Sequence, residues 1–369
     1  MRRLPRLISG FVEGATGREV GAENNTSAFD RIKLQPRVLN DVGKRSTATR
    51  FLDEDYDVPF GVAPMGMCNL VHPGADRFLT NAARVHNLPL AVSTAASTSL
   101  EDLYQSAPGR VWFQLYVMPP LEHTLSLVRR AEECGYDTLV LTVDVPQVSR
   151  RIRDLKNGFS VDFKFGPRQI YDFITHPAYS LRMLIAGRPA PLNFPNQGAS
   201  FDRAASRALA NWAFLGKLRD LWKGKLIVKG VTSSKDAKQI KQLGADAIYV
   251  SNHGGRQLDS VAAAIDILPL IREAVGPDYP LIMDSGLRGG EDILKAFARG
   301  ADFVMFGRPI MFALGAEGEK GLESLLQSLR YDLSTAMAQI GVTSIEQLGA
   351  TNLAEVDVAL GEQGHEGQR

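Results

Sequence analysis

The chain has 369 residues and a mass of 40.3 kDa, a length that suits one large α/β barrel with insertions better than two full domains. Apolar residues make up 44% and charged residues 22%, which excludes collagen-like and disordered chains, and the net charge of +1 gives no indication of nucleic-acid binding. The two cysteines, Cys68 and Cys134, cannot form a disulfide framework, which favours a reducing compartment.

The N-terminal sequence Met-Arg-Arg-Leu-Pro is basic, but no apolar stretch with a small-residue cleavage site follows it. We therefore expect no signal peptide. No run of the chain reaches the length of about 18 apolar residues that a membrane-spanning helix needs. A cytoplasmic location is the expectation from these features.

From residue 59 onward, short β-rich runs alternate with longer helical patterns. Near-continuous apolar strands that alternate with helices indicate a parallel sheet covered on both sides. Eight such runs favour a closed TIM (β/α)8 barrel over an open sheet, at about 59–340 of a single domain spanning 1–369. The predicted strands are Pro59–Ala63, Pro89–Val92, Val111–Val117, Thr138–Val143, Lys225–Lys229, Ala247–Ser251, Pro280–Met283 and Phe303–Phe306. The predicted helices are 74–86, 99–106, 120–134, 234–243, 260–275 and 290–299.

About 80 residues separate the fourth predicted strand from the fifth, where the other units need about 20 to 40. We predict a helix at 203–220 and an insertion at about 160–202. Residues 163–219 carry eight basic residues against two acidic ones, together with many aromatic and aliphatic residues. Such a segment can lie on an anionic bilayer surface without crossing it. The alternative is a packed excursion that covers the barrel mouth, and both interpretations stay open at this point.

Polar side chains follow most of the predicted strands, at the ends where barrel enzymes carry out their chemistry. Three ends have polar residues two positions apart, a spacing that places both side chains on one face of a strand. In each pair the inner residue could hold a cofactor while the outer residue meets a substrate. The pairs are Gln114 and Tyr116, Thr142 and Asp144, and Ser251 and His253, and Ser93, Lys229 and Asp284 stand at three further ends.

Glycine-rich turns follow the last two predicted strands. The first reads Asp284-Ser-Gly-Leu-Arg288-Gly-Gly290, and the second reads Gly307-Arg308-Pro309. Glycines let the backbone approach an anion, helix N-termini supply amide donors, and an arginine offers a bidentate fork. Because the loops after strands seven and eight are the usual phosphate site of such barrels, a phosphorylated cofactor or substrate is expected here.

Several long motifs stand along the chain between roughly residues 4 and 345. They are Leu4-Pro5, Ala28-Phe-Asp-Arg31, Trp112-Phe-Gln-Leu-Tyr116, Leu141-Thr-Val-Asp144, Leu226-Ile-Val-Lys-Gly230, Val250-Ser-Asn-His-Gly-Gly-Arg-Gln-Leu-Asp259 and Asp284-Ser-Gly-Leu-Arg288. These motifs, in this order, resemble those of the FMN-dependent 2-hydroxy-acid oxidases and dehydrogenases. The segments Thr175-His-Pro177 and Arg219-Asp-Leu-Trp222 are most similar to those of the membrane-associated mandelate and lactate dehydrogenases, which favours the membrane interpretation of the insertion.

The resemblance implies a catalytic centre around His253, which would take a proton from the substrate and pair with Asp144. Arg151 and Arg256 would bind the substrate carboxylate, and Tyr116 would hydrogen-bond the substrate oxygen. A 2-hydroxy acid is an anion, so a desolvated site needs such bidentate cations, and a flavin accepts the electrons because no side chain can. We favour transfer of the α-hydrogen as hydride, with carbanion formation as the alternative.

FMN is the cofactor that the resemblance implies, and no Cys/His cluster has metal-ligand spacing, so no metal is expected. Lys229 would lie near N1 of the ring and favour the reduced anion, Asp284 would meet the ribityl chain, and Arg288, Gly307 and Arg308 would hold the phosphate. The implied cofactor-binding residues are Ala63, Pro64, Met65, Ser93, Gln114, Thr142, Lys229, Ser251, Asp284, Ser285, Gly286, Arg288, Gly307 and Arg308.

Two substrate-binding positions depart from the family pattern. Phe11 stands where the family usually has a tyrosine whose hydroxyl contacts the substrate carboxylate, which forfeits about 1.5–3 kcal/mol unless water substitutes. Ala95 stands where short-chain glycolate oxidases have a tryptophan, and a small residue there opens the pocket. We therefore expect a mandelate-like or lactate-like substrate over glycolate.

The sequence predicts an L-2-hydroxy-acid dehydrogenase that passes its electrons to a quinone or an electron-transfer chain. One alternative is an oxidase that passes them to oxygen and produces hydrogen peroxide. Two others are a flavin-free phosphate-binding isomerase or lyase, and an inactive barrel kept as a binding module. The resemblance also implies a homotetramer, and peripheral membrane contact through residues 163–219 at the inner face of the membrane.

Overall fold

Eight short apolar runs form the parallel strands of a closed barrel in the computed structural model, which describes residues 3–159, 166–194 and 207–354. The barrel strands β3–β10 pair with their neighbours in chain order, and β10 pairs with β3 to close the ring. All eight predicted strands are confirmed, because side chains buried on both faces of a barrel strand leave a continuous apolar run in the sequence. The barrel strands are Phe60–Met65 (β3), Leu90–Ser93 (β4), Val111–Leu115 (β5), Thr138–Thr142 (β6), Lys225–Val231 (β7), Ala247–Val250 (β8), Leu281–Met283 (β9) and Phe303–Phe306 (β10).

Helices surround the barrel and pack their apolar faces against the outer surface of the strands. Six of the seven helices predicted between strands lie within four residues of their predicted bounds, and the largest difference among these six is at the helix Ala264–Val275, which was expected to begin at 260. The helices are Arg6–Glu13 (α1), Val20–Arg31 (α2), Ala75–Val85 (α3), Leu100–Ser106 (α4), Leu121–Cys134 (α5), Ile152–Asn157 (α6), Pro167–Ile174 (α7), Pro177–Ala186 (α8), Trp212–Leu221 (α9), Ser234–Gln242 (α10), Ala264–Val275 (α11), Gly290–Ala298 (α12), Arg308–Glu317 (α13) and Glu319–Gln339 (α14).

An antiparallel hairpin that the sequence analysis did not predict precedes the barrel; its strands are Thr49–Phe51 (β1) and Glu54–Tyr56 (β2). Phe51 and Tyr56 are buried among side chains of the barrel interior. The ring of Phe51 stacks on that of Phe303 at 5.0 Å between centroids, and the ring of Tyr56 lies 5.5 Å from that of Phe303. The hairpin thus fills one end of the barrel interior with aromatic rings.

Two N-terminal helices, also not predicted, support the strand ends where the polar residues stand. Helix α1 buries Leu7, Ile8 and Val12. Helix α2 packs against the short 3-10 turn His253–Gly255, and a Cβ added to Gly255 would lie 2.5 Å from the backbone N of Ala22. The turn can approach α2 so closely because Gly255, at φ +75°, has no side chain.

The predicted helix at 203–220 is wrong in its start, since α9 begins at Trp212 and residues 207–211 are not helical. Asn211 caps α9 by accepting a hydrogen bond from the backbone N–H of Phe214 at 2.9 Å, which fixes the start of the helix. The rest of that prediction, 203–206, lies outside the described residues, as do 160–165 and 195–202 of the predicted insertion. The prediction that 1–369 form one domain stays a prediction, with 355–369 outside the description.

The described part of the insertion, residues 166–194, is anchored to the barrel at several points. The hydroxyl of Tyr179 donates to the carbonyl of Leu70 at 2.6 Å, and Oδ1 of Asn193 accepts from the backbone N of Leu100 at 2.7 Å. Both side chains are buried. Within residues 3–159, 166–194 and 207–354, no helix has the length and apolar character needed to cross a bilayer.

Candidate active site

A cavity of about 780 Å³ opens at the carboxyl ends of the barrel strands. Four of the residues predicted for the site, Asp144, Gln114, Thr142 and Ser251, do not line it. Asp144, Gln114 and Ser251 bond to side chains that do, and Thr142 pairs in register with Lys229. The predicted residues that line the cavity are Phe11, Ala63, Pro64, Met65, Ser93, Ala95, Tyr116, Arg151, Lys229, His253, Arg256, Asp284, Ser285, Gly286, Arg288, Gly307 and Arg308.

His253 and Asp144 form a hydrogen-bonded pair at the rim. Nδ1 of His253 lies 3.0 and 3.2 Å from the two carboxylate oxygens of Asp144, and both side chains are largely buried. The carboxylate packs against Gly230, where an added Cβ would lie 2.6 Å from the Cβ of Asp144. A carboxylate at this distance orients the imidazole, while Nε2 is left for other partners.

Tyr116 and two guanidinium groups line the cavity close to the pair. Burial and the Asp144 carboxylate raise the pKa of the Tyr116 phenol to about 12, so this hydroxyl is a hydrogen-bond donor at neutral pH. Arg151 is buried and forms an ion pair with Asp154 at 3.6 Å. Nη1 of Arg256 donates to the carbonyls of Phe11 and Gly14, which ties this cation to the C-terminal end of α1.

An aromatic wall closes one side of the cavity. The ring of Phe11 stacks on that of Phe159 with 4.7 Å between centroids and 12° between planes. Cζ of Arg256 lies 5.4 Å from the centroid of Phe11 on this wall, within the range of a cation–π contact. Elsewhere in the cavity Ala95 packs against Gly66, where an added Cβ would lie 2.9 Å from the Cβ of Ala95. Both residues line the cavity, and a larger side chain at position 95 would take up part of its volume.

Lys229 lies at the centre of a buried polar network on the cavity floor. Its ammonium donates to Oγ of Ser251 at 2.6 Å and to the Asp284 carboxylate at 2.7 Å. Burial alone would raise the pKa of Asp284, but Lys229 and the hydrogen bonds from Ser251 and Ser285 outweigh it and lower that pKa. The carboxylate therefore stays ionised, and the ammonium is held in one place next to the cavity.

Two helix N-termini and two arginines form a positively polarised end of the cavity. Gly289 caps α12 and Gly307 caps α13, with Arg308 as the first residue of α13. Burial, together with the charges of Arg288 and Arg151, lowers the pKa of the Arg308 guanidinium to about 10. Arg308 donates to backbone carbonyls of Val12, Gly14 and Gly254. Two neighbouring cations beside helix N-termini favour an anion at this end.

The comparisons with known proteins decide the family. The sequence model of the FMN-dependent dehydrogenases matches residues 1–355. The chain belongs to the FMN-dependent dehydrogenase family. It is accordingly an FMN-dependent oxidoreductase, and the flavoprotein and TIM-barrel predictions are confirmed.

Individual relatives align over nearly the whole chain. (S)-mandelate dehydrogenase of Pseudomonas putida is 36% identical, with 99% of this chain and 96% of the relative covered. L-lactate dehydrogenase of Pseudomonas syringae pv. syringae is 35% identical, with 96% of each covered. A crystal structure of the monotopic membrane protein (S)-mandelate dehydrogenase superimposes with a TM-score of 0.91 at 36% identity, covering 95% of both chains. A mandelate oxidase variant with (S)-mandelic acid superimposes at 0.81 and 33% identity, covering 96% of this chain and 94% of that one.

The cavity floor fits FMN. Nε2 of Gln114 and Oγ1 of Thr142 are buried and have no hydrogen-bond partner among the described residues. Each such group costs about 1–3 kcal/mol if nothing pairs with it, which fits a ring with carbonyl and nitrogen acceptors bound beside β5 and β6. Oε1 of Gln114 accepts from Ser93 at 3.1 Å, which holds the amide in position. The cationic end near Arg308 suits the FMN phosphate.

Three parts of the cavity wall were missed by the sequence analysis: Phe159, the segment 188–192, and Arg207. Arg207 is buried, and its guanidinium lies over the ring of Tyr116. The one sequence signal for these residues was the basic excess of 163–219, which does not single out any arginine. Segment 188–192 follows α8 directly, so the insertion contributes a wall of the cavity as well as an exposed surface.

Proposed function

We propose that the protein oxidises an L-2-hydroxy acid to the 2-oxo acid. The observation that carries the proposal is the His253–Asp144 pair at the rim of a cavity that Arg151 and Arg256 also line. FMN, when bound, would accept the α-hydrogen and the two electrons that the substrate loses together, as a hydride. His253 takes the hydroxyl proton at Nε2, and Asp144 stabilises the imidazolium that results.

The other side chains orient the substrate. We infer that Arg151 and Arg256 bind its carboxylate, because a guanidinium matches a carboxylate in a bidentate manner. Tyr116, whose raised pKa keeps its hydroxyl protonated, donates to a substrate oxygen. The cofactor is held by the residues predicted for it: Ala63, Pro64, Met65, Ser93, Gln114, Thr142, Lys229, Ser251, Asp284, Ser285, Gly286, Arg288, Gly307 and Arg308.

We propose that the substrate has a bulky apolar side chain, as mandelate has, in preference to glycolate. The stacked rings of Phe11 and Phe159 form an apolar wall, and the small residues Ala95 and Gly66 line the cavity next to Ser93. Val145, Val148 and Leu192 extend the apolar lining. Relatives named for mandelate and for lactate support this class of acid.

Anaerobic reduction of the bound flavin tests this function. Lactate, mandelate, glycolate and longer acids are mixed in parallel with the holoenzyme, and we expect the L-enantiomer of a bulky acid to bleach the absorbance near 450 nm fastest. The variant His253→Gln should keep FMN bound and lose the bleaching. Failure of every acid to reduce the wild-type flavin would remove the proposal.

For the electron acceptor we propose a quinone or another component of an electron-transfer chain. Helix α8 ends at Ala186, and residues 188–192 directly after it line the cavity, which supports delivery of electrons near a membrane surface. The relatives include both dehydrogenases and an oxidase. Hydrogen peroxide formed at the rate of substrate oxidation in air would overturn the dehydrogenase assignment in favour of the oxidase.

We also propose peripheral membrane contact through an apolar patch on α7 and α8, with the inner face of the membrane as the expected side. Six residues of this patch expose between 49% and 81% of their surface. Exposed basic side chains, Arg168, Arg182 and Arg188, flank them and suit anionic lipid headgroups. Assembly as a homotetramer stays a prediction from the family resemblance. The patch consists of Ile170, Tyr171, Ile174, Leu181, Leu184 and Ile185.

A further inference from the structure

Arg207 lies against the proposed substrate-binding tyrosine. Its side chain is buried, with 7% of its surface exposed, and its Cζ lies 4.6 Å from the centroid of the Tyr116 ring. The backbone N of Arg207 donates to the carbonyl of Pro146 at 2.8 Å, so the residue is fixed to the loop that follows Asp144. The contact therefore joins the C-terminal side of the insertion to the strand end after β5.

The position of the Tyr116 ring is important because its hydroxyl has to meet a small substrate. The backbone N of Tyr116 donates to Oγ1 of Thr94 at 3.1 Å, and that hydroxyl donates to the carbonyl of Gln114 at 2.6 Å. These bonds fix the main chain and leave the rotation of the ring about its side-chain bonds to packing. A guanidinium on the ring face restricts that rotation through a desolvated cation–π contact.

The other arginines of the cavity have different surroundings. Arg151 pairs with Asp154, and Arg256 bonds to the carbonyls of Phe11 and Gly14. Arg288 and Arg308 lie at the two helix N-termini. Among the three guanidinium groups that lower the pKa of Tyr116, Arg207 has the largest effect, ahead of Arg151 and Arg256, in agreement with its place on the ring.

We propose that Arg207 is a positioning residue, which holds the ring of Tyr116 so that its hydroxyl meets the substrate oxygen. The inference rests on the proposed function, because it assigns Arg207 a role through Tyr116. Arg207 does not contact the reacting atoms in this scheme. Its loss lets the ring move, so the hydroxyl reaches the substrate in a smaller fraction of complexes, and the rate of flavin reduction falls more than substrate affinity does.

A double-mutant cycle on the FMN-loaded full chain tests this role. The variants are Arg207→Met, Arg207→Lys, Tyr116→Phe and Arg207→Met combined with Tyr116→Phe. Arg182→Met, on the exposed face of α8, serves as the matched control for loss of one arginine from the insertion. Anaerobic stopped-flow mixing with the best acid of the panel gives the reduction rate constant and the substrate Kd for each.

We expect Arg207→Met to lower the rate constant about three- to thirtyfold, the range that a desolvated cation–π contact spans, with less than a threefold change in Kd. Arg207→Lys keeps a cation near the ring and should recover at least half of this loss on a logarithmic scale. In the Tyr116→Phe background, where no hydroxyl remains to be positioned, Arg207→Met should change the rate less than twofold. The positioning role would be overturned if the two substitutions had additive effects on the rate constant, or if Arg207→Met alone left the rate constant unchanged.

A second measurement does not depend on activity. The protein has nine tyrosines, and after labelling with 3-fluorotyrosine the Tyr116→Phe variant identifies the 19F resonance of Tyr116. We expect Arg207→Met to shift and broaden that resonance alone, and Arg182→Met to leave it unchanged. If the Tyr116 resonance does not change in Arg207→Met, the positioning role is refuted, whether or not an acid reduces the flavin. If the resonance changes but no acid reduces the flavin, the proposed function is refuted and the contact between Arg207 and Tyr116 is not.

Discussion

At the scale of single residues, the charge on Asp144 distinguishes an activated base from an ordinary histidine. Nδ1 of His253 lies within hydrogen-bonding distance of both carboxylate oxygens. Replacing the carboxylate by an amide keeps the shape of the contact and removes the charge that stabilises the imidazolium. For Asp144→Asn we expect flavin reduction to slow about 10²- to 10⁴-fold, as for loss of a general base, with FMN content unchanged. A stopped-flow rate within threefold of wild type would contradict this.

At Phe11 a substitution is expected to improve ligand binding, whereas the substitution of Asp144 is expected to slow the reaction. Its ring is already held between Phe159 and the guanidinium of Arg256, so a hydroxyl added at its edge is presented to the cavity on a fixed ring. In Phe11→Tyr we expect the carboxylate of the 2-oxo acid product to bind about tenfold more tightly, which corresponds to one hydrogen bond to a charged group. Titration of the flavin spectrum with the 2-oxo acid measures this affinity. Weaker binding would show that the hydroxyl does not reach the carboxylate.

The Lys229–Asp284 pair is expected to make the free energy of unfolding depend on pH. Because the pKa of Asp284 is lowered on folding, its stabilising contribution is present above the unfolded value near 3.8 and is lost as the pH falls through the folded value. Asp284→Asn leaves the Lys229 ammonium buried without its counter-ion, at a cost of about 3–5 kcal/mol at pH 7. Denaturant unfolding should show this difference at pH 7 and a smaller one at pH 3. An equal difference at both pH values would contradict the prediction.

At the scale of elements, the loop after β9 depends on a glycine that no other residue can replace without movement. Gly286 has a φ of +105°, and an added Cβ would lie 2.1 Å from the carbonyl oxygen of Asn25 on α2. Gly286→Ala should therefore displace this loop from α2 and weaken FMN binding at least tenfold, as measured by fluorescence titration of the apoprotein. Gly216→Ala is the matched control. Gly216 lies inside α9, where an added Cβ would meet no neighbouring atom within 4 Å, so this variant should leave FMN affinity unchanged.

The elements that the sequence predicted share one physical property, which is a continuous apolar or amphipathic pattern. Helix α2 has no such pattern: its sequence, Val-Gly-Ala-Glu-Asn-Asn-Thr-Ser-Ala-Phe-Asp-Arg, is mostly polar, and it is held by tertiary contacts. Asn25 and Asn252 exchange side-chain hydrogen bonds of 2.8 and 2.7 Å. A hydrogen bond between residues 227 apart leaves no local signal, so this helix could not be predicted from its own residues.

The candidate site also contains residues that a local sequence pattern reveals and residues that only tertiary contacts bring there. His253, Asp144 and Lys229 could be predicted because each stands at the end of a predicted strand, and the ends of parallel strands meet at one rim. Arg207 and Phe159 border segments outside the described residues, and neither stands at the end of a predicted strand. Tertiary structure brings them to the cavity, and their positions in the sequence do not indicate it. The N-terminal segment is similar, since its carbonyls at Phe11 and Gly14 hold Arg256.

At the scale of the whole molecule, one wall of the cavity and the apolar patch on α7 and α8 belong to one continuous stretch of chain. Residues 188–192 line the cavity, while Leu184 and Ile185 just before them are among the most exposed apolar side chains that the structure describes. Tyr179 and Asn193 anchor the stretch to the barrel. Deleting it would therefore damage the cavity as well as the patch, and point substitutions on the exposed face are the appropriate test.

Replacing Ile174, Leu184 and Ile185 together by serine should abolish flotation of the protein with phosphatidylglycerol vesicles, because each buried aliphatic side chain contributes about 1.5–3 kcal/mol to partitioning. FMN content and flavin reduction should not change, since these side chains face outward. The matched control replaces three large hydrophobic residues that are exposed elsewhere, Leu258, Leu270 and Tyr331, with 62%, 59% and 71% of their surface exposed. Vesicles of zwitterionic lipid should bind the wild type more weakly because they do not attract the flanking arginines. Equal flotation of the two triple variants would mean that the patch on α7 and α8 is not the membrane contact.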